Sequence, residues 1–299
     1  MSLLAAAFRS LRPRQWAKNL FVFAAVVFSQ NLFTPLVGLA VLAFAIFCGL
    51  SGAIYLVNDV VDMEKDRLHP IKRRRPIAAG VLSRGLGVAL AAVLLGASLG
   101  AAFILSPRFG LVALAYAVLL VAYSLWLKAV VIVDVLTVAT GFVLRAIAGA
   151  AAVDVDISGW LIICTILVAL FLALGKRRHE YLSLRGAAAA HRPILAEYSE
   201  GFLDQMIAVV TASTVTAYAL YTMSPETVAK FHTRFLPLTL PFVLYGIFRY
   251  LYLLYHRELG GNPSDLLLSD RALLVNTVLW MAALVAIIYG PAGWLAWVR

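Results

Sequence analysis

The chain has 299 residues, of which 63% are hydrophobic and 13% are charged, and its formal net charge is +10. This composition excludes an ordinary soluble globular protein and indicates a polytopic membrane protein. A basic balance can favour nucleic-acid binding. In a membrane chain it reflects instead the Lys and Arg residues of cytoplasmic loops, so we exclude a nucleic-acid-binding module.

Apolar windows long enough to cross about 30 Å of hydrocarbon predict nine transmembrane helices. The predicted spans are 20–35, 37–57, 86–105, 109–127, 131–153, 158–175, 205–223, 235–255 and 272–297. The first is short, ends in polar residues and meets the second near Pro35, which leaves eight as the alternative count. No linker or soluble region interrupts the chain, so we predict a single integral-membrane domain over residues 1–299.

The positions of the 25 Lys and Arg residues predict the orientation. Most of them precede the first span or fall in alternate loops, and such loops are typically cytoplasmic. We therefore predict a multi-pass protein of the plasma (inner) membrane, with its amino terminus in the cytoplasm and its carboxyl terminus outside.

An acidic segment begins where the apolar character of the second predicted span stops. Asn58, Asp62 and Asp66 are four residues apart and share one face of a helix, and Asp59 lies three residues before Asp62. Acidic residues at the end of a span are costly unless they are paired or bound to metal. Since Mg²⁺ takes a few carboxylates together with phosphate oxygens, we predict Asp59, Asp62 and Asp66 as its ligands. The alternative is a solvated helix with ordinary surface ion pairs.

A cationic run, Lys72 to Arg75, follows the acidic segment closely. Carboxylates beside cations at a membrane face predict a site for Mg²⁺ and a diphosphate. The residues predicted to be catalytic are Asp59, Asp62, Asp66, Lys72 and Arg75, with Asn58 and Arg73 as substrate-binding neighbours.

Several residues elsewhere are predicted to bind substrate near the cytoplasmic face. Lys18 and Asn19 precede the first span, and Tyr123 and Lys128 lie near the cytoplasmic end of the fourth. Lys18, Asn19 and Lys128 fit a phosphate or a diphosphate, and Tyr123 fits the wall of a substrate pocket. Interfacial anchoring explains Tyr123 and Lys128 equally well.

Arg145 lies near the middle of an apolar span, where a guanidinium is expensive and usually faces the interior with a partner. We predict that it binds an anion or a carboxylate, with Asp134 of the same helix as the candidate partner. A purely structural pair is the alternative, and Asp134 is also explained by its place near a helix start.

The chain resembles the UbiA superfamily of intramembrane prenyltransferases. The resemblance rests on Asn58-Asp59-x-x-Asp62-x-x-x-Asp66 and on the later run Arg73-x-Arg75-Pro76-Ile77-Ala78-Ala79-Gly80. It implies an all-α bundle of about nine transmembrane helices around a central cavity. The aspartate motifs would lie in a cytoplasmic cap and hold Mg²⁺ and a diphosphate.

Further stretches resemble one branch of that superfamily, the decaprenyl-phosphate phosphoribosyltransferases. They are residues 12–19, 69–76, 123–128, 141–149 and 175–180. This resemblance implies transfer of a phosphoribosyl group from phosphoribosyl diphosphate to a polyprenyl phosphate of the decaprenyl type, with release of diphosphate. The arabinan precursors of cell-envelope biosynthesis would be its later products.

The second cytoplasmic segment supports that branch by its charge. Prenyltransferases of the superfamily usually carry a second aspartate pair there, whereas this chain has Lys176, Arg177 and Glu180. More cations and fewer carboxylates suit substrates that carry several phosphates, so these three residues are predicted to bind substrate. The alternative is that the cations only anchor the helix at the cytoplasmic face.

Two other functions stay open at this point. One is a UbiA-type prenyltransferase that moves a polyprenyl group from its diphosphate to an aromatic acceptor. The other is a transporter of anionic solutes, for which inverted repeats and a site near the midplane would be expected. The sequence leaves both a monomer and an oligomer open.

Overall fold

The computed structural model describes residues 2–68, 70–183, 193–257 and 259–290. Every regular element in this part of the chain is helical, and no strand occurs in it. The chain divides into two compact units, the first with residues 1–157 and 184–199 and the second with residues 158–183 and 200–299. The prediction of a single domain over 1–299 stays a prediction.

The described residues of the first unit form seven α-helices and four 3₁₀ segments. The α-helices are α1 (Leu3–Ser10), α2 (Ala24–Phe28), α3 (Leu36–Val61), α4 (Met63–Leu68), α5 (Arg84–Leu105), α6 (Pro107–Leu125) and α7 (Val133–Val153). The 3₁₀ segments are Pro13–Phe23, Lys72–Arg74, Leu127–Ala129 and Pro193–Glu197. Helix α3 contacts α5, α6, α7 and the first 3₁₀ segment, so it lies at the centre of this unit.

In the second unit, the described residues form six α-helices and one 3₁₀ segment. They are α8 (Gly159–Ser183), α9 (Glu200–Met223), α10 (Pro225–Phe231), the 3₁₀ segment Leu236–Thr239, α11 (Leu240–His256), α12 (Pro263–Ser269) and α13 (Arg271–Tyr289). Helix α8 packs on α9, and α11 packs on α13.

Among the described residues, eight helices are long and apolar enough to cross a membrane. They match eight of the nine predicted spans to within a few residues, except at the carboxyl end of two. Helix α8 continues to Ser183, and α13 ends at Tyr289, where the predicted span extends into residues outside the described part. The predicted all-α, multi-pass fold is confirmed, and the count of nine is approximate.

The predicted span 20–35 is absent from those eight helices. The chain there forms the 3₁₀ segment Pro13–Phe23 and the five-residue helix α2, which ends at Phe28. Gln30 has a φ of 61°, a left-handed conformation that stops a helix. The segment is apolar, but the turn at Ser29 to Asn31 separates it from α3.

A close backbone contact ties the first 3₁₀ segment to α7. A Cβ atom placed on Gly149 would lie 1.9 Å from the carbonyl oxygen of Val22, so only glycine allows the two backbones to approach this closely. Val22 belongs to the same buried cluster as Phe47, Phe109 and Tyr116. This packing fixes the segment that contains Asn19 and directly follows Arg12.

Candidate active site

The predicted aspartate motif lies at the junction of α3 and α4. Asp59 is in the last turn of α3, Asp62 is the residue that follows it, and Asp66 is in α4. The amide of Asp62 donates to the carbonyl of Asn58 at 2.9 Å, and that of Asp66 donates to the carbonyl of Asp62 at 2.8 Å. The helical spacing of four predicted from the sequence therefore continues across the break between the two helices.

Asp59 and Asp66 share one guanidinium. Nη1 of Arg75 lies 3.1 Å from Oδ1 of Asp59 and 2.6 Å from Oδ2 of Asp66. Both acids are buried, at 2% and 3% exposure. The guanidinium of Arg12 also donates to Asp59. Since a buried carboxylate requires a partner, these two arginines account for the presence of both acids in this place.

Asp62 takes a different cation, Lys128, whose Nζ lies 2.6 Å from Oδ1 of Asp62. Lys128 belongs to the 3₁₀ turn Leu127–Ala129 between α6 and α7, 66 residues further along the chain. The fold thus brings one predicted phosphate-binding residue to the aspartate motif. We call the following six residues the aspartate cluster: Arg12, Asp59, Asp62, Asp66, Arg75 and Lys128.

Other predicted site residues lie in the first unit, where nothing tests their contact with substrate. Arg73 is exposed in the 3₁₀ turn Lys72–Arg74. Half-buried positions are taken by Lys18, Asn58, Lys72 and Tyr123. Their roles stay predictions.

The donor set of the aspartate cluster fits Mg²⁺. This ion usually takes only one or two carboxylates and completes its shell with substrate phosphates and waters. Asp59 and Asp66 supply two carboxylates that already meet on either side of one positive group. No set of three or more His, Cys, Asp or Glu side chains that could hold a metal occurs in the described ranges. A metal held by these two carboxylates would complete its shell with phosphate oxygens and water.

Arg145 is 5% exposed, and neutral groups surround its guanidinium. Nε donates to Oδ1 of Asn19 at 2.9 Å, Nη1 to the carbonyl of Gly141 at 2.9 Å and Nη2 to the hydroxyl of Tyr116 at 2.6 Å. The guanidinium also lies over the rings of Tyr116 and Phe142. We call Arg145, Asn19 and Tyr116 the Arg145 centre.

The prediction that Asp134 is the partner of Arg145 is wrong. Asp134 accepts a hydrogen bond from the hydroxyl of Tyr198 at 2.8 Å instead. The two residues are on the same helix, but eleven residues are about three turns, which is too far for contact.

The amide of Asn19 is occupied within the protein. Besides accepting from Arg145, it donates to Oγ of Ser51 at 3.1 Å and to Sγ of Cys48 at 3.4 Å. Asn19 is also almost fully buried. The structure gives Asn19 an internal role, and its predicted contact with substrate stays a prediction.

The remaining predicted residues lie in the second unit, in the last turns of α8. Nη1 of Arg177 is 2.5 Å from Oε2 of Glu180, and Nζ of Lys176 is 3.8 Å from Oε1 of the same residue. The neighbouring Arg178 is buried and contacts Glu200 and Asp204 of α9. Arg178 therefore pairs α8 with α9, and the predicted substrate-binding roles of Lys176, Arg177 and Glu180 stay predictions.

Sequence reasoning missed two residues, one in the cluster and one beside the turn that follows Lys128. Arg12 begins the stretch 12–19, but nothing local distinguishes it from its cationic neighbours. Tyr198 gave no signal at all, because its partners Ile132 and Asp134 are more than 60 residues away along the chain.

Comparisons with known proteins agree with these observations. A family model described as the UbiA prenyltransferase family matches residues 19–268. The decaprenyl-phosphate phosphoribosyltransferase of Mycobacterium tuberculosis is 32% identical over 288 residues, which cover 94% of this chain and 93% of that protein. The decaprenyl-phosphate phosphoribosyltransferase of Corynebacterium glutamicum is 32% identical over 297 residues, which cover 94% of this chain and 86% of that protein.

A solved structure has the same fold. It is that of a UbiA homologue from Archaeoglobus fulgidus bound to GPP and Mg²⁺, with a TM-score of 0.72 and 20% sequence identity. The match covers 95% of this chain and 99% of the archaeal one.

Proposed function

The chain belongs to the UbiA prenyltransferase family, and from this premise we propose that it transfers the 5-phosphoribosyl group of phosphoribosyl diphosphate to a polyprenyl phosphate of the decaprenyl type. Diphosphate is released. The proposal is supported by the 32% identity to proteins named for this reaction, over almost the whole chain. The reaction would take place at the cytoplasmic face of the plasma (inner) membrane.

One observation carries the proposal, namely that each aspartate of the motif has a cation beside it. Arg75 forms ion pairs with Asp59 and Asp66, and Lys128 forms one with Asp62. The donor carries a diphosphate and a 5-phosphate, and the acceptor carries a phosphomonoester. These substrates carry more phosphate groups than a prenyl diphosphate and a neutral aromatic acceptor do. A site with a cation beside each carboxylate therefore suits the phosphoribosyl substrates better.

Asp59 and Asp66 would hold Mg²⁺ together with the diphosphate, and Asp62 would assist them. When bound, Mg²⁺ neutralises negative charge on the departing diphosphate. The arginines of the cluster can turn from carboxylate to phosphate oxygens without a change in their own charge. Lys128 and the nearby Lys72 would neutralise the remaining phosphate charge as the bond from C1 of the ribose to the diphosphate breaks.

The acceptor needs no general base. The second pKa of a phosphomonoester is about 6, so the lipid phosphate is already an anionic nucleophile at neutral pH. One of its oxygens forms the new bond to C1 as the diphosphate leaves. Direct attack would invert the anomeric centre and give a β-linked product from the α-linked donor.

Transfer of label to lipid would test the proposal. Purified protein in detergent receives phosphoribosyl diphosphate labelled in the ribose and a polyprenyl phosphate, and label is followed into the organic phase with and without a chelator. We expect transfer that requires Mg²⁺ and falls more than about 100-fold in Asp62→Asn, because the cluster then lacks one carboxylate for the metal and for Lys128.

Asp154→Asn is the matched control. Asp154 pairs with Arg108 between the start of α6 and the end of α7, and its side chain is 81% exposed. The Asp154→Asn variant should transfer label at the rate of the unchanged protein. Absence of transfer, together with prenylation of an aromatic acceptor from a polyprenyl diphosphate, would contradict the proposal and favour an ordinary prenyltransferase. Uptake of anionic solute without Mg²⁺ would favour a transporter.

A further inference from the structure

The turn that follows Lys128 has an unusual backbone. Ile132 has a φ of 68° and a ψ of −45°, and the amide of Val133 donates to the carbonyl of Val131 at 2.7 Å. This is a γ-turn with a positive φ at its centre, a rare and strained form. A β-branched residue in this region is a true outlier. Such strain persists only where the surroundings hold the backbone in place.

The hydroxyl of Tyr198 holds this turn from both sides. It accepts a hydrogen bond from the amide of Ile132 at 2.9 Å and donates one to Oδ1 of Asp134 at 2.8 Å. Tyr198 is 3% exposed, and Asp134 is fully buried. One oxygen atom therefore connects the strained residue to the first turn of α7.

Tyr198 is itself held firmly. It follows the 3₁₀ segment Pro193–Glu197, whose residues Ile194 and Leu195 are buried. This segment contacts the 3₁₀ turn Leu127–Ala129, which carries Lys128. The hydroxyl thus acts from a packed segment and not from an exposed loop.

We propose that Tyr198 is a positioning residue, which fixes the strained turn and so holds Lys128 against Asp62. Lys128 lies four residues before Ile132, and its Nζ is 2.6 Å from Oδ1 of Asp62. If the turn relaxes, the 3₁₀ segment that bears Lys128 loses its fixed end. The catalytic part of this inference rests on the proposed function, whereas the structural part does not.

The first measurement is the chemical reactivity of Lys128, which needs no catalytic activity. The full chain in detergent is treated briefly with an amine-acetylating reagent, and acetylation is quantified by mass spectrometry for the unchanged protein and for Tyr198→Phe. We expect acetylation of Lys128 to rise at least threefold in Tyr198→Phe, while acetylation of Lys230 in α10 stays the same. Unchanged reactivity of Lys128 would overturn the proposal, whatever reaction the protein catalyses.

The second measurement is a double-mutant cycle on transfer of the phosphoribosyl group. Tyr198→Phe should lower kcat/KM for phosphoribosyl diphosphate about tenfold in the unchanged protein but less than twofold in a Lys128→Met background. Equal losses in both backgrounds would overturn the positioning role. If the unchanged protein transfers nothing, the proposed function fails, and the acetylation result still decides the structural part.

Two further variants separate the hydroxyl from other effects. Asp134→Asn keeps an acceptor for the hydroxyl of Tyr198, so Lys128 should stay protected, and exposure of Lys128 as large as in Tyr198→Phe would overturn the proposal. Tyr245→Phe changes an exposed tyrosine of α11 in the same way and should have no effect. If Tyr198→Phe does not fold, hydrogen exchange of the unchanged protein at residue resolution replaces it, and fast exchange of the Ile132 amide would overturn the proposal.

Discussion

The aspartate cluster and the Arg145 centre both surround buried charge in the first unit, but they satisfy it in different ways. In the cluster, carboxylates meet Arg12, Arg75 and Lys128. In the centre, a guanidinium meets an amide, a hydroxyl, a carbonyl and two aromatic rings. Ion pairs can exchange partners with an incoming anion and its metal. A cation held by neutral groups offers no such exchange, so we infer that the centre serves structure.

The depth of the two regions agrees with this difference. Asp62 follows the last residue of α3, whereas Arg145 is twelve residues inside α7. At 1.5 Å per residue, twelve residues place it about 18 Å along the helix from its first residue. The cluster therefore lies at a helix end, where a phosphate group could reach it without entering the apolar span, whereas Arg145 lies well inside such a span.

The largest effect is expected from Arg75→Gln in the cluster. Two buried carboxylates would lose the group that lies between them, and the diphosphate would lose a cation. We expect kcat/KM for phosphoribosyl diphosphate to fall about 100-fold or more. Arg75→Lys should recover only part of the rate, because an ammonium is a strongly hydrated point charge and lacks the planar donor fork that matches a phosphate. Arg108→Gln, at an exposed pair, is the control, and an equal loss there would contradict this prediction.

Gly149→Ala should disturb both regions at once. The new methyl group would meet the carbonyl of Val22 and push away the 3₁₀ segment that contains Asn19 and directly follows Arg12. We expect a loss of about 1–3 kcal/mol in the free energy of unfolding, the usual cost of overpacking, measured by thermal denaturation in detergent. Gly96→Ala in α5 meets no atom within 4 Å and should not lower stability. Equal melting temperatures for the two variants would contradict the contact.

Arg145→Met should separate stability from catalysis. The change leaves Asn19 and Tyr116 without their cation, at a cost of about 1–2 kcal/mol. The kcat per folded molecule should stay within about threefold of the unchanged protein. Thermal denaturation and single-turnover transfer, measured on the same sample, check both statements. Lost transfer at unchanged stability would restore the sequence-based prediction that Arg145 binds substrate.

The smallest effect is expected at a half-buried pair without a proposed function. Arg249 of α11 donates to both oxygens of Asp270, which also caps α13 through the amide of Leu273. These hydrogen bonds hold the pKa of the Asp270 carboxyl below its ordinary value, and the largest contribution comes from the Arg249 guanidinium. A lowered pKa in the folded state means that the stabilisation is present above about pH 4, the unfolded value, and is lost as pH falls through the folded value.

Asp270→Asn keeps the capping oxygen and removes the charge. Its melting temperature should be slightly below that of the unchanged protein at pH 7, and the difference should shrink as the pH falls below about 4. A difference that persists in acid would show that the charge is not responsible. Transfer activity should not change, which contrasts this pair with those of the cluster.

The sequence predicted what depends on local spacing. The spacing of Asn58, Asp62 and Asp66 follows from helical geometry, and eight spans follow from hydropathy. The partners of Arg145 could not be read, because Asn19 is 126 residues away and Tyr116 is 29 residues away. The position of Arg145 in an apolar span indicated that burying its guanidinium is costly. Which groups bind the guanidinium depends on tertiary packing, which the sequence does not show.

Lys128 shows both what local sequence predicts and what only tertiary packing determines. Its position near a cytoplasmic helix end suggested phosphate binding, and the fold brings it to Asp62. The strained turn after it was invisible in the sequence, since nothing in Val131, Ile132 and Val133 signals a positive φ. Such a conformation is imposed by tertiary contacts, in this case the hydroxyl of Tyr198.

The Arg145 centre has a consequence for biogenesis. An arginine at the middle of a helix opposes insertion into the bilayer by about 2.5–3.5 kcal/mol. Asn19 and Tyr116, which satisfy it, precede Arg145 in the chain and are synthesised earlier. When α7 leaves the ribosome, the first 3₁₀ segment and α6 are already available to receive its guanidinium. Because the two partners are synthesised before Arg145, the arginine can be paired as soon as α7 enters the bilayer.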